Sequence, residues 1–210
     1  MTPALSLRRE RSRAPASGPT RIVCGGSDVL IRPVAPSDRG AFRAGFGRLS
    51  ETSRYRRFLT PMDRLTNGQL DYLTMVDQHD HVALVAVDAG DDEEILGVAR
   101  FVGTGDRVAE PAIAIADHWQ GKGLGTALFA ALTARALEEG IERFEALVLA
   151  ENEPILKLLG RAGPVQQRRV GAQVEVEVSL SESRATDGAR LTCWRRARRE
   201  TIRRRRGERG

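Results

Sequence analysis

Cysteine is nearly missing from this chain. Its 210 residues include two, Cys24 and Cys193, near opposite ends. No disulfide framework and no metal-ligand spacing can be read from such a pair, and a reduced, cytoplasmic setting fits it. Histidine is almost as scarce. His79 and His81 lack ligand spacing, and His118 beside Trp119 reads as loop packing, so no metal is expected. Lysine is reduced to Lys122 and Lys157 among 33 basic residues. An arginine-favouring composition accounts for that as well as any function does. Long apolar runs are missing too, and none approaches the ~20 residues of a membrane span. Arg8-Arg9 is not followed by an apolar segment, so no secretion signal is expected. No internal repeat is present.

The formal net charge of +5 conceals an uneven distribution. Residues 1–27 hold five Arg against one Glu, and residues 190–210 hold ten Arg against two Glu. The interior, 28–189, is therefore acidic by seven charges. Residues 1–26, rich in Arg, Ser, Pro and Ala, read as a disordered basic arm. Residues 27–182 read as one folded domain and 183–210 as an Arg-rich C-terminal tail. That tail suits contact with nucleic acid, an acidic partner or an anionic surface, and equally a solubilising role. Trp194 is its single aromatic and makes no stacking platform, so specific nucleic-acid recognition is not expected.

Periodicity divides the interior into elements. Asp28 to Pro33 reads as a strand. Ala35-Pro36-Ser37-Asp38 starts a helix, with Ser37 or Asp38 as cap and Phe42, Phe46 and Leu49 turned inward. A second helical piece covers Ser50 to Phe58 and should end at Pro61. Thr66 caps a third. His81 to Val87 and Ile95 to Val102 read as strands joined by a turn at Gly90-Asp91-Asp92. Another strand, Val108 to Ala116, is apolar and small apart from Glu110. A long helix follows, stopped by Gly140 in a left-handed conformation. Then come a strand from Phe144 to Leu149, a short helix opened by Pro154, and a hairpin turning at Gly171-Ala172. Glu175 and Glu177, opposite the apolar face of that hairpin, read as solvated. The order is mixed α/β with a largely antiparallel first half.

Between the Glu110 strand and the long helix lies Gln120-Gly121-Lys122-Gly123-Leu124-Gly125. Three glycines in five residues uncover backbone N–H groups, and the helix that follows points its orphan donors and positive dipole end at the same place. That suits a phosphate or pyrophosphate, to which Lys122 adds a point charge. The spacing excludes a Walker A loop, and it excludes the dinucleotide fingerprint because the third glycine arrives one residue early.

Gln120, Gly123 and Gly125, between an apolar strand and an amphipathic helix, resemble the acetyl-CoA pyrophosphate loop of the GNAT acyltransferase superfamily. The element order over about residues 28–181 is similar to that family as well. Within it, Ser53-Arg54-Tyr55-Arg56-Arg57-Phe58, Pro61, Leu65-Thr66, Leu73-Thr74, Val76-Asp77, Val82 to Ala86 and Ala109-Glu110 resemble the GNAT domain of bacterial Pat-type protein lysine acetyltransferases. Read from local pattern alone, Tyr55 and Phe58 are core packing, and Arg54, Arg56 and Arg57 are a solvated helix face.

The resemblance implies a GNAT-like α/β fold, a mixed, largely antiparallel central sheet with helices on both faces. It implies an acetyl-CoA-dependent N-acetyltransferase acting on a primary amine, with protein lysine as leading acceptor and a small-molecule amine or a non-catalytic acyl-CoA-binding regulator as alternatives. The donor-binding set it implies is Ile113, Ala114 and Ile115 on the strand, Gln120, Gly121, Lys122, Gly123, Leu124, Gly125 and Thr126 at the loop, and Asn152 after the next strand. By the same resemblance Glu110 is the general base. A lysine amine, with a pKa of about 10.4, is mostly protonated near neutrality, so a base is useful. Burial among apolar neighbours is expected to tune Glu110 for that work. Pro111 beside it removes a ladder donor and is expected to mark a bulge or an edge. Many GNAT enzymes carry a tyrosine seven residues after the Asn as acid for the leaving thiolate; here Leu159 stands there.

Overall fold

A computed structural model describes residues 18–90 and 94–181. The Arg-rich tail, the arm ahead of Gly18 and part of the turn expected at Gly90 to Asp92 lie outside the described residues. Eight strands form one sheet: β1 (Thr20–Cys24), β2 (Ser27–Pro33), β3 (His81–Asp88), β4 (Ile95–Gly105), β5 (Val108–Ile115), β6 (Arg143–Leu149), β7 (Val165–Val170) and β8 (Gln173–Ser179). Their spatial order is β1-β2-β3-β4-β5-β6-β8-β7. Every neighbouring pair is antiparallel except β5 and β6. The expected fold class holds.

One expectation about the ends is corrected. Thr20–Cys24 belongs to the sheet, paired with β2 from Thr20↔Ile31 to Cys24↔Ser27, instead of continuing a disordered arm. Arg21 and Ser27 hide the pattern, but Ile22 packs against the core and Cys24 is 2% exposed. Gly25 and Gly26, at φ 61° and 89°, make the turn.

Five α-helices cover the sheet: α1 (Arg39–Arg48), α2 (Glu51–Phe58), α3 (Asn67–Thr74), α4 (Leu124–Glu138) and α5 (Glu153–Leu159). A 3-10 turn, Pro36–Asp38, precedes α1. There Asp38, not Ser37, does the capping: its carboxylate accepts from the Ala35 amide at 2.8 Å and holds Arg32 through two bonds of 2.9 and 2.8 Å. Ser50 caps α2. That helix stops before Pro61 can act, because Leu59 turns left-handed at φ 54°. Thr66 and Gln69 close a reciprocal capping box at the start of α3, satisfying two donors at once.

Alternation along β3 supplies both faces of the sheet. Val82, Leu84 and Ala86 pack with α4 and α5; Ala83, Val85 and Val87 pack with α1 and α3. Leu124, Leu128 and Leu132 of α4 recur every fourth residue and are fully buried. Each such side chain contributes roughly 1.5–3 kcal/mol by leaving water. Gly140, at φ 81°, ends α4 as its placement after Glu138-Glu139 predicts.

Candidate active site

The sheet opens at its centre. β5 pairs with β6 only at Val108↔Arg143 and Ala109↔Phe144. β5 stays in register with β4 to Ile115, and β6 stays in register with β8 to Leu149. From Glu110 onward the two parallel strands diverge and leave a V. Alternation decides what faces it. Ala116 donates to the Leu96 carbonyl at 2.9 Å, so even-numbered peptide groups of β5 point at β4. The Arg107 carbonyl accepts from Glu142 and Arg143, and the Ile115 carbonyl from the Gln120 side chain, so odd-numbered groups point into the V. Ile113 and Ile115 therefore present backbone groups there, and Ala114 presents its own to β4. Pro111 is odd-numbered, so its missing N–H removes no bond to β4. Of the bulge or edge expected at Pro111, the structure has the edge: Pro111 lies past the last β5–β6 pair and opposite Phe101 in regular register, and the irregularity of the β4–β5 pair falls between Gly103 and Gly105.

At the open end of the V the chain makes a 3-10 turn, Asp117–Trp119, and enters the glycine loop. Gly121 and Gly123 take φ 71° and 93°, which side chains disfavour. The first amides bonded back are those of Thr126 and Ala127, both to the Gly123 carbonyl at 3.1 and 3.2 Å. The amides ahead of them are the orphan donors of a helix start. Lys122 is exposed, and its ammonium stacks 4.8 Å from the centre of the Trp119 ring. Behind it the β1–β2 turn closes in, with Cys24 Sγ 3.3 Å from the Lys122 carbonyl. A Cβ on Gly25 would stand 2.9 Å from the Lys122 side chain. The hairpin missed in the sequence is thus the buttress of this loop.

Asp117, not singled out by sequence reasoning, ties the loop to α2. Its carboxylate accepts from the Ser50 amide at 2.7 Å and from the Ser53 hydroxyl at 2.5 Å. Partial burial works against its ionisation, but hydrogen bonds from Ser53 and Ser50 outweigh that and hold the carboxyl below its ordinary range. Gln120 Nε2 joins the same network, within 3.2 Å of Ser53 Oγ and 3.0 Å of Asp117 Oδ1. An acid three residues before the loop glutamine was the available signal.

On the face of β5 opposite α4 lies an open cleft. Phe42, Phe46, Leu49, Phe58, Ala114 and Ala116 line it, and among the described residues Arg57 is the one charged residue of its wall. Glu110, Ala112 and Ala114 share this face. Glu110 is exposed, while Ala109 and Pro111 on either side are buried. The burial expected for Glu110 is thereby corrected: strand alternation turns it away from the core its neighbours enter. The helix reading is corrected too. Tyr55 is 44% exposed and not core. Arg54 lies 4.9 Å over the Phe46 ring and donates to the Gly47 carbonyl at 3.0 Å, so it is not a solvated face residue. Arg57 lies 4.8 Å over the Phe58 ring. Arg56 is exposed as expected.

Arg100 is the other residue missed. It stands in the middle of β4 and is 2% exposed. A lone charge inside an apolar strand was its signal. Asn152 precedes α5, but its side chain makes no capping bond, so the amide is not committed to the helix. Leu159 is 1% exposed in the core beside α4, which explains an apolar residue there.

A sheet splayed beside a glycine-rich helix start, with an apolar cleft across the strand, makes this an α/β protein with an anion-seeking loop at the open end of its parallel strand pair. A model of the Acetyltransferase (GNAT) family matches residues 47–163, and the chain belongs to that family. It is 35% identical over 157 residues to the acetyltransferase Pat of Mycolicibacterium smegmatis, covering 74% of this chain and 46% of Pat. It is 32% identical over 145 residues to the acetyltransferase PA5475 of Pseudomonas aeruginosa, covering 68% of this chain and 78% of that protein. The GNAT domain of S. lividans PAT superposes with a TM-score of 0.72 at 29% identity, covering 80% of this chain and all of that domain. The chain thus spans about half the length of the mycobacterial Pat. No helix among the described residues is long and apolar enough to cross a membrane.

Proposed function

We propose that this acetyltransferase moves an acetyl group from acetyl-CoA to the side-chain amine of a protein lysine, with Glu110 as general base. The single observation that carries the reading is the V itself. It opens one residue past Ala109, with Glu110 at its vertex on the cleft face, and ends at the orphan amides of the glycine loop. The donor fits what is there: anion-seeking N–H groups at residues 123–125 for the pyrophosphate, with Gly121, Lys122, Leu124 and Thr126 completing the turn, and an unpaired strand edge at Ile113 and Ile115 for the amide-rich arm. Ala114 contributes its small side chain to the cleft, and Asn152, whose amide makes no capping bond, follows the end of β6. Gln120 sets the loop against Ile115 and Asp117.

The thioester supplies an activated acetyl carbon. Glu110 takes a proton from the ammonium, directly or through one water, and frees the nitrogen lone pair. The N–C bond forms, a strand amide stabilises the oxyanion because it is fixed before reaction, the nitrogen gives up its second proton to solvent, and the C–S bond breaks. With Leu159 in the core, no tyrosine at that position protonates the thiolate, and solvent supplies that proton. Exposure of Glu110 matches a base that meets an amine arriving from a protein surface. The setting we propose is cytoplasmic, in keeping with the scarcity of cysteine in the sequence.

Thiol release from acetyl-CoA with lysine-bearing proteins, followed by mass spectrometry for acetyl-lysine, tests this. Release only with polyamines or aminoglycosides moves the acceptor to small cationic amines, which the acidic interior of the sequence favours. Acetyl-CoA binding without release to any amine points to a regulator.

A further inference from the structure

Beside Glu110 the fold carries two guanidinium groups that no carboxylate closes on among the described residues. Register places them. His81, Val102 and Glu110 form one cross-strand row on the cleft side of the sheet, and Ala83, Arg100 and Ala112 form the next. Arg100 is buried, donates through Nη2 to the Leu73 carbonyl at 3.1 Å, and lies 5.1 Å from the centre of the Tyr72 ring. Its Nε and Nη1 are buried with no partner. Arg57 reaches the same region from α2, in the cleft wall. Neither guanidinium forms an ion pair among the described residues. Burial, and next the charge of Arg57, push Arg100 down to about 10, so it is still a cation near neutrality. His81 is driven to about 4 by burial and by Arg100, so it is neutral there and its buried Nε2 is also unpartnered.

Burying one cation, Arg100, without an anion is costly, and setting the half-buried Arg57 beside it is costlier. Glu110 is the nearest carboxylate that Arg57 senses, and it does not close on either group. The missing negative charge belongs to a ligand. The other walls of the cleft are apolar, so the charge of Arg57 is its one strong polar anchor among the described residues. A planar monoanion suits one guanidinium fork with a second charge behind it. A phosphate dianion would need more donors than the wall supplies and would meet Glu110.

We propose that Arg57, backed by Arg100, holds a carboxylate carried by one of the two reactants: the far end of a dicarboxylic acyl group on the donor, or a carboxylate beside the amine of the acceptor. The placement of that carboxylate relative to Glu110 rests on the transfer reading above; the anion site does not.

Calorimetric titration of the full chain with glutarate and with glutaramide tests the site without turnover. Glutarate should bind about ten-fold or more tightly than the diamide, in line with a charge-assisted pair, and Arg57→Gln should erase the difference. Equal binding of the two probes to the wild type, or an undiminished preference in Arg57→Gln, overturns the proposal. Arg57 is partly exposed, so its replacement should fold; a thermal melt checks that, and Arg57→Lys should recover part of the preference. Turnover then names the source. A preference for glutaryl-CoA over acetyl-CoA, lost in Arg57→Gln, assigns the donor. A preference for Glu-Lys over Gln-Lys peptides, lost in the same variant, assigns the acceptor. Turnover with no carboxylate preference in either arm overturns the inference. Arg57-dependent glutarate binding in a chain that acetylates nothing upholds the anion site and sinks the transfer reading.

Discussion

Replacing Gly123 by alanine probes the turn on which donor binding depends. Gly123 sits at φ 93° and ψ −6°, immediately before α4. A Cβ in a left-handed conformation costs roughly 1–2 kcal/mol. The loop can answer in two ways. Kept in place, it passes the strain to the whole fold. For a folded unit of this size each kcal/mol moves Tm by about 2–4 °C, so a fall of roughly 2–8 °C follows. Relaxed to negative φ, it sheds the strain but turns the amides of 123–125 away from the pyrophosphate. Losing one hydrogen bond to a charged group removes about 1.5–3 kcal/mol, which weakens acetyl-CoA binding by about ten-fold or more. A thermal melt and a calorimetric titration with acetyl-CoA on one preparation read both. Gly68→Ala is the control: it lies in α3 without a positive φ, and an added Cβ meets nothing within 4 Å. That control should be stabilising by up to ~1 kcal/mol. A Gly123→Ala variant with unchanged Tm and unchanged affinity refutes the reasoning.

Three further outcomes are expected. Asp117→Asn should weaken the tie between α2 and the loop, lowering stability by about 1–2 kcal/mol and loosening acetyl-CoA binding, seen in a urea melt and a titration. Phe144→Ala, which empties a fully buried site packed on Phe101 and Phe129 where β5 and β6 part, should cost about 3–5 kcal/mol in a denaturant melt. Burial, then Arg100, hold His81 at about 4 in the fold against 6.5 when unfolded, so the unfolded chain takes up that proton first. Its contribution is therefore complete above about 6.5 and lost as pH falls toward 4. With the ring half-exposed, about 1–2 kcal/mol is expected after allowing for solvent screening, and NMR titration of the ring reads the pKa directly. A His81 ring titrating near 6.5 contradicts that environment.

Much of this molecule can be read in its sequence, and the unread parts share a cause. The glycine loop, α4 and its stop at Gly140 are local: periodicity, φ demands and helix-end chemistry lie within a few residues of one another. Thr66 with Gln69 is local in the same way. The parting of β5 from β6 is not, because it depends on which strand lies beside which, over more than thirty residues. β1 is short, and its polar outward residues resemble the arm before it. Glu110 was expected to be buried because its sequence neighbours are apolar, whereas a strand sends neighbours to opposite faces. Arg54 and Arg57 read as solvent-facing because a helix pattern shows spacing and not what lies above it. Asp117 acts on Ser50 and Ser53 across more than sixty residues. Those contacts were beyond any local pattern, though the residue types at both ends were in view.

The measurement that bears most directly on the transfer reading is single-turnover and steady-state thiol release from acetyl-CoA, across pH, for wild type and Glu110→Gln with a lysine-bearing protein acceptor. The account predicts that Glu110→Gln keeps its affinity for acetyl-CoA and loses about 10²–10⁴-fold in kcat, as expected when a general base is removed. It also predicts that the acid limb of the wild-type profile disappears in the variant. An unchanged kcat and an unchanged pH profile in Glu110→Gln would contradict it.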